Sequence, residues 1–255
     1  MIRVVLLGAG NVATHLVNAF SNANNIDLVQ VYARKKSSLE DIRKNNISTT
    51  TDLNELKDAD VYIIAIADDA IAAFSQQLKI KKNAMVVHTS GSVAMNAIAD
   101  NFRKGVFYPL QTFSKEKSIN FKTVPICLEA EHDEDLVVLE KLASAISDAV
   151  YFIDSKQRES LHVAAVFVNN FTNHLYHIGK TICNEHEVPF AILQPLIQET
   201  AKKILDLSPY DAQTGPAKRN DSNTITRHLE QLPNNYKEIY SLLTKSISNT
   251  YEQEL

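Results

Sequence analysis

Gly8-Ala9-Gly10-Asn11-Val12-Ala13 closes an apolar run, Val4 to Leu7, and passes straight into a helical pattern. Two glycines followed by a small residue at this spacing are the parts of a dinucleotide-binding turn. Gly8 allows the tight turn, Gly10 lets backbone approach a pyrophosphate, and Ala13 lets the helix pack closely on its strand. The phosphates would rest on the unpaired N–H groups of the helix N-terminus, which puts Ala9, Asn11 and Val12 in the same cofactor-binding set. An ordinary strand-to-helix turn is the plainer alternative.

A second signal follows the next strand, Leu28 to Tyr32. A site that selects NAD places an acid there for the ribose 2′-OH, whereas a 2′-phosphate needs cations. Here Ala33-Arg34-Lys35-Lys36 carries three cations and no acid. Arg34 suits a planar phosphate clamp and Lys35 adds point charge, so NADPH is favoured over NADH. A solvated basic loop is the competing reading. Ser37 with Glu40 has the spacing of a capping box for the helix that follows.

Val61 to Ala67 reads as a parallel strand buried on both faces, ending beside the cofactor at Ala67. Asp68-Asp69 are expected to cap a helix from about Ala70. The strand Ala84 to His88 ends in Thr89-Ser90-Gly91-Ser92, at the carboxyl edge where such sheets bind ligands. Thr89 and Ser90 would border a nicotinamide ring, with Ser90 also reaching substrate. Equally, Ser90 or Ser92 caps a helix from Val93.

The last chemical cluster is a helix. Leu161 to Ile178 contains no Asp, Glu, Lys or Arg, yet it holds His162, Asn169, Asn170, Asn173, His174 and His177. So many polar groups argue against a membrane span. At about 100° per residue, His162, Asn169, Asn170, Asn173 and His177 share a stripe, with apolar residues opposite, so a buried central helix is expected. Imidazole can take and return a proton near neutral pH, and Asn can orient a carbonyl. His162 and Asn170 are the candidate catalytic residues and His174 a substrate contact; cross-linking of neighbouring helices is the alternative. The ligand spacing for a metal is missing. Further on, Thr214-Gly215-Pro216-Ala217-Lys218-Arg219-Asn220-Asp221 reads either as a loop that holds an anionic substrate through Thr214 and Arg219, or as a connection whose Asp221 or Ser222 caps the next helix.

The elements that must position these residues alternate. Strands at Val106 to Phe113, Val124 to Leu128 and Val150 to Ile153, with a helix from Asp133 to Ser147, extend an α/β doubly wound sheet. After Ser155 the strand pattern stops and helices follow, broken at Pro189, Pro195, Ser208-Pro209 and Pro233. The expected domains are therefore 1–154 for cofactor and 155–255 for substrate and dimerisation. The 255 residues allow a substantial core. A net charge of −4 with both signs interspersed excludes a polybasic field, so nucleic acid and membrane are not expected partners. Cys127 and Cys183 form no disulfide or metal framework and read as buried thiols, which suits a reducing cytoplasm, and the strand at the N-terminus does not read as a secretory leader.

Together with His88-Thr89-Ser90-Gly91-Ser92, Tyr108-Pro109-Leu110-Gln111-Thr112-Phe113 and Ala164 to Phe171, these motifs make the chain resemble, over nearly its whole length, a mainly bacterial family of oxidoreductases. In that family a Rossmann-like domain precedes a helical domain of unknown function. More distantly the chain is similar to pyrroline-5-carboxylate reductase, the deazaflavin-linked NADP oxidoreductases, prephenate dehydrogenase and the β-hydroxyacid dehydrogenases. The resemblance implies a Rossmann-like sheet followed by an all-helical domain like the C-terminal part of 6-phosphogluconate dehydrogenase. It also implies NAD(P)-linked hydride transfer and a homodimer through the helical domain. Two departures stand out: the interdomain helix lacks the catalytic lysine of the β-hydroxyacid dehydrogenases, and Tyr108 stands where prephenate dehydrogenases have histidine before the proline turn. The expected function is hydride transfer between NADP and a small, anionic carbonyl, imine or hydroxy compound. The alternative is a dinucleotide sensor that does no chemistry.

Overall fold

The computed structural model describes residues 1–43 and 47–251. They form two compact units, Met1–Asn169 and Asn170–Leu255.

The first unit is built on one sheet of eight strands: β1 (Ile2–Leu7), β2 (Ile26–Tyr32), β3 (Thr49–Thr50), β4 (Val61–Ile64), β5 (Met85–His88), β6 (Arg103–Pro109), β7 (Ile126–Ala130) and β8 (Val150–Phe152). Their order is β3-β2-β1-β4-β5-β6-β7-β8, and every neighbouring pair is parallel except β6 with β7. Side chains alternate across the sheet and divide into two cores. Val4, Leu6, Val61 and Ile63 pack with α1 (Asn11–Ser21) and α4 (Asp133–Ser144), while Val5, Leu7, Tyr62 and Ile64 pack with α3 (Ile71–Ser75). Covered on both faces, Val4–Leu7 of β1 and Val61–Ile64 of β4 have no need of polar residues, which is why they read as unbroken apolar runs. The doubly wound, Rossmann-like sheet and the helical second half expected from the sequence are the architecture observed.

Local details differ. Lys36–Leu39 is a 3₁₀ turn entered from Lys35, leading into the short α2 (Glu40–Arg43), so Ser37 caps nothing. β4 stops at Ile64, because Ala65 onward turns toward a 3₁₀ turn at Asp68–Ala70 that no side chain caps. The Asp68 carboxylate instead accepts the Ser92 hydroxyl at 2.6 Å. No α-helix starts at Val93; Ser90 Oγ accepts the Ser92 and Val93 N–H groups, and only a 3₁₀ turn, Met95–Ala97, follows. α4 ends at Ser144 because the Ser147 hydroxyl donates to the Val124 carbonyl at 2.6 Å, which pulls the chain back to the sheet. β3, only two residues long, carries too little pattern to be read from sequence. Cys127 is buried, but Cys183 is only partly so.

α5 (Ser155–Ala165) opens on a reciprocal capping box in which Asp154 accepts the Gln157 N–H and donates its own N–H to the Gln157 side chain. A π turn, Val166–Phe171, then leads into α6 (Thr172–Glu185). Its i→i+5 bonding adds a residue to the turn. A stripe projected at 100° per residue therefore loses its phase there, and Asn169 and Asn170 lie within the turn itself. The uncharged stretch is also not a buried helix in this chain, since of residues 161–178 only Ile178 is buried.

The second unit consists of α6, α7 (Gln194–Lys203), α8 (Pro209–Ala212), α9 (Ser222–Gln231) and α10 (Asn234–Tyr251). Pro195 and Pro209 occupy first turns, where a missing N–H costs nothing. No helix among the described residues is long and apolar enough to cross a membrane.

Candidate cofactor and active site

A cavity of about 680 Å³ opens at the carboxyl edge of β1, β2 and β4. Of the residues expected to bind cofactor, Gly8, Ala9, Gly10, Asn11, Val12, Arg34, Lys35 and Thr89 line it. Three do not. Ala13 is fully buried in the core behind the turn, Ser90 is buried within its own loop, and Ala67 comes just after the lining residues Ala65 and Ile66.

The geometry of the turn assigns its glycines different work. Gly8 has φ +139°, and a Cβ there would stand 2.1 Å from the Ala65 carbonyl oxygen. At Gly10 the backbone is ordinary, with φ −79°, and a Cβ would meet no protein atom within 4 Å. Gly8 is thus demanded by the fold, while the space over Gly10 faces the cavity. No side chain caps α1, so its first-turn N–H groups remain available to an anion. The Asn11 side-chain amide donates to the Phe113 carbonyl at 2.9 Å. Arg34 and Lys35 stand at the far end of the same cavity with Ser38; Lys36 does not line it. A cradle open over Gly10, free helix donors and two cations at one end fit a dinucleotide.

The loop after β5 is set by a buried imidazole. His88 is fully buried, its Nδ1 accepts the Ser90 N–H at 3.2 Å, and its Nε2 has no hydrogen-bond partner among the described residues. Burial pushes its pKa down to about 4, helped by the charge of Arg158 and opposed by the Ala94 carbonyl and Asp68. The ring is therefore neutral at physiological pH. Gly91 then passes so close to the sheet that a Cβ would lie 2.5 Å from His162 Nδ1 and 2.7 Å from Tyr108 Cζ. The Tyr108 hydroxyl lies 3.3 Å from His162 Nδ1, and the rings meet edge to face. Burial raises Tyr108 to about 12, with Cys127 and Asp68 adding and Arg158 opposing, so the phenol keeps its proton. Ser90, Gly91, Tyr108 and His162 are thus brought together within the first unit.

The other expected residues belong to the second unit. Asn170 is in the π turn, and His174 stacks on His177 with centroids 6.2 Å apart. Thr214 and Arg219 flank Gly215, whose φ is +109°. Their loop is anchored to α10 by Ser248, which donates to the Ala217 carbonyl, and by Lys218, which lies over the Tyr251 ring. Asp221 caps α9 by accepting the Thr224 N–H.

Sequence reasoning left Tyr108 out of the site and passed over Arg158. Tyr108 carried a usable signal, since it ends a strand parallel to β5 and so lies at the same ligand-binding edge. Arg158 carried none, because its partner Glu129 is distant in sequence.

Residues 3–91 match the family model described as NADP oxidoreductase, coenzyme F420-dependent, and residues 124–247 match the domain of unknown function DUF2520. Among solved structures, a candidate NADP oxidoreductase from Bacteroides fragilis is 42% identical, with TM-score 0.89, covering 97% of this chain and 98% of that one. An imine reductase from Myxococcus stipitatus in complex with NADP⁺ is 13% identical, with TM-score 0.65 and coverage of 98% and 93%. A pyrroline-5-carboxylate reductase from Coxiella burnetii is 14% identical, with TM-score 0.58 and coverage of 99% and 98%. At those identities the last two share the fold. No curated protein sequence matches the chain.

Proposed function

We propose that this chain, which belongs to the family of oxidoreductases whose NADP oxidoreductase segment is followed by DUF2520, is an NADP-dependent enzyme that moves a hydride between nicotinamide and a small, anionic carbonyl, imine or hydroxy compound. The observation that carries this reading is the single cavity that joins the uncapped N-terminus of α1 to Arg34 and Lys35. The nicotinamide supplies the hydride; the protein binds, orients and handles the proton. The α1 N–H groups would hold pyrophosphate, Arg34 and Lys35 the 2′-phosphate, and Thr89 and Ser90 the nicotinamide side. His162, held by Tyr108, is the candidate proton donor or acceptor. On the second unit, Arg219, with Thr214 and His174, offers cationic and polar groups for an anionic substrate, and Asn170 an amide to orient its reacting oxygen or nitrogen. The two free cysteines suit a reducing cytoplasm.

The test is a titration with NADPH and NADH on wild type and Arg34→Asp, followed by a panel of small carbonyls and imines. Loss of an arginine–phosphate contact is expected to weaken NADPH by about tenfold to a hundredfold, with NADH within about twofold. Equal losses for both would remove the cation clamp. Tight NADPH binding without turnover on any panel member would favour a sensor.

Assembly is part of the same proposal. Among the described residues of the second unit only Ile178, Ala217 and Tyr251 are buried, while Leu196, Leu205 and Leu242 are at least 62% exposed. A helical unit with so little core of its own gains stability by packing against a second copy. Light scattering at micromolar concentration is expected to give the mass of a dimer; a monomer would refute it.

A further inference from the structure

Arg158 has the largest fully buried side chain among the described residues, at 1% exposure, and its guanidinium reaches three elements. Nη1 donates to Glu129 of β7, while Nη2 donates to the Val93 carbonyl at 2.5 Å and to Ser155 Oγ at 3.2 Å. The Ser155 hydroxyl donates to Glu129 and accepts the Met95 N–H at 3.0 Å. Val93 and Met95 come directly after Ser90-Gly91-Ser92. That loop is therefore fastened at two backbone points to the first turns of α5, the helix that presents His162 one turn beyond Arg158.

Stability alone does not account for this arrangement. Burying an arginine–glutamate pair costs desolvation that their attraction scarcely recovers, and apolar residues of similar volume often serve as well. What an apolar side chain lacks is a rigid planar fork whose separate donors reach separate acceptors. The contact being set is a close one, since the loop passes His162 at a distance that admits only the hydrogen of Gly91.

We propose that Arg158 is a positioning residue that holds the Thr89–Val93 loop on α5 at the spacing His162 needs to face the nicotinamide. The inference rests on the dinucleotide reading above, and it separates the two halves of the cofactor. The adenosine half is held by the α1 turn and Arg34, which Arg158 does not touch; the nicotinamide half depends on the loop.

Arg158→Lys keeps a cation for Glu129 but cannot span Val93 and Ser155 as well. Two probes divide the effect: 2′,5′-ADP, which occupies only the adenosine half, and NADPH, whose nicotinamide emission can be read directly. Wild type is expected to bind both and to alter the nicotinamide emission on binding. In Arg158→Lys, 2′,5′-ADP affinity should stay within about twofold, while NADPH affinity falls about tenfold and the emission change is lost. Ser155→Ala, which removes only the hydroxyl that receives Met95, should move the same two readouts in the same direction and serves if the arginine variant does not fold. Retention of NADPH affinity and emission in the variants would overturn the inference, as would equal weakening of both probes. Failure of wild type to bind either probe would instead overturn the dinucleotide reading itself.

Discussion

Gly8→Ala is expected to destabilise the first unit severely, whereas Gly10→Ala should fold normally and fail to bind NADPH. At Gly8 an added methyl meets two penalties together. A left-handed φ for a residue with a Cβ costs on the order of 1–3 kcal/mol. The clash with the Ala65 carbonyl forces backbone apart, and overpacking of that kind typically adds about 1–3 kcal/mol. β1 and β4 are the strands on either side of that contact, so the sheet has no slack with which to absorb it. At Gly10 the backbone already has a conformation that alanine adopts, and the methyl touches no protein atom. It stands in the space where the pyrophosphate would lie. Thermal unfolding and NADPH titration on the two variants check this; equal stability loss in both would show that Gly10, too, serves the fold.

The second large effect is a dependence of stability on pH from His88. Its folded pKa, about 4, lies below the 6.5 of an ordinary histidine. Between those values the unfolded chain holds a proton on this ring that the folded chain does not. The contribution is complete above about pH 6.5 and is lost progressively as pH falls toward 4. The shift corresponds to about 3 kcal/mol over that window. Denaturant unfolding followed from pH 7 to 4.5 should show the loss, and His88→Asn, whose amide oxygen can still accept the Ser90 N–H, should flatten it. Identical slopes for the two proteins would place the titration elsewhere.

Sequence alone made the central strands and the glycine turn legible because each is a local statement: an apolar run, two glycines and a helical face in one short stretch. That Arg34 and Lys35 line the cavity was legible for the same reason, since it begins where β2 ends. Capping was less so. Ser37 and Asp68 are good cap residues whose neighbours turned out to be 3₁₀ turns, and Asp68 found a better partner in Ser92, which no local rule could anticipate. The stripe from His162 to His177 failed on one assumption, an uninterrupted α-helix, which the π turn at Val166–Phe171 breaks. Tyr108 could have been read from its place at the end of β6, whereas Arg158 lay beyond local reading, because it matters through Glu129 and Val93, both more than twenty positions away.

The hydrogen bonds that fix the Gly8 turn also set an order of events. Gly8 donates to the Tyr32 carbonyl, and the Leu7 carbonyl receives the Ala65 N–H, both at 2.8 Å. The strand that carries the turn is made first but stands between β2 and β4, both made later. Its pairing with β4 closes a long stretch of chain, the kind of contact that forms slowly. A growing chain that has not yet added Ala65 therefore lacks the carbonyl against which Gly8 is shaped, and the turn takes its final form only once β4 is in place.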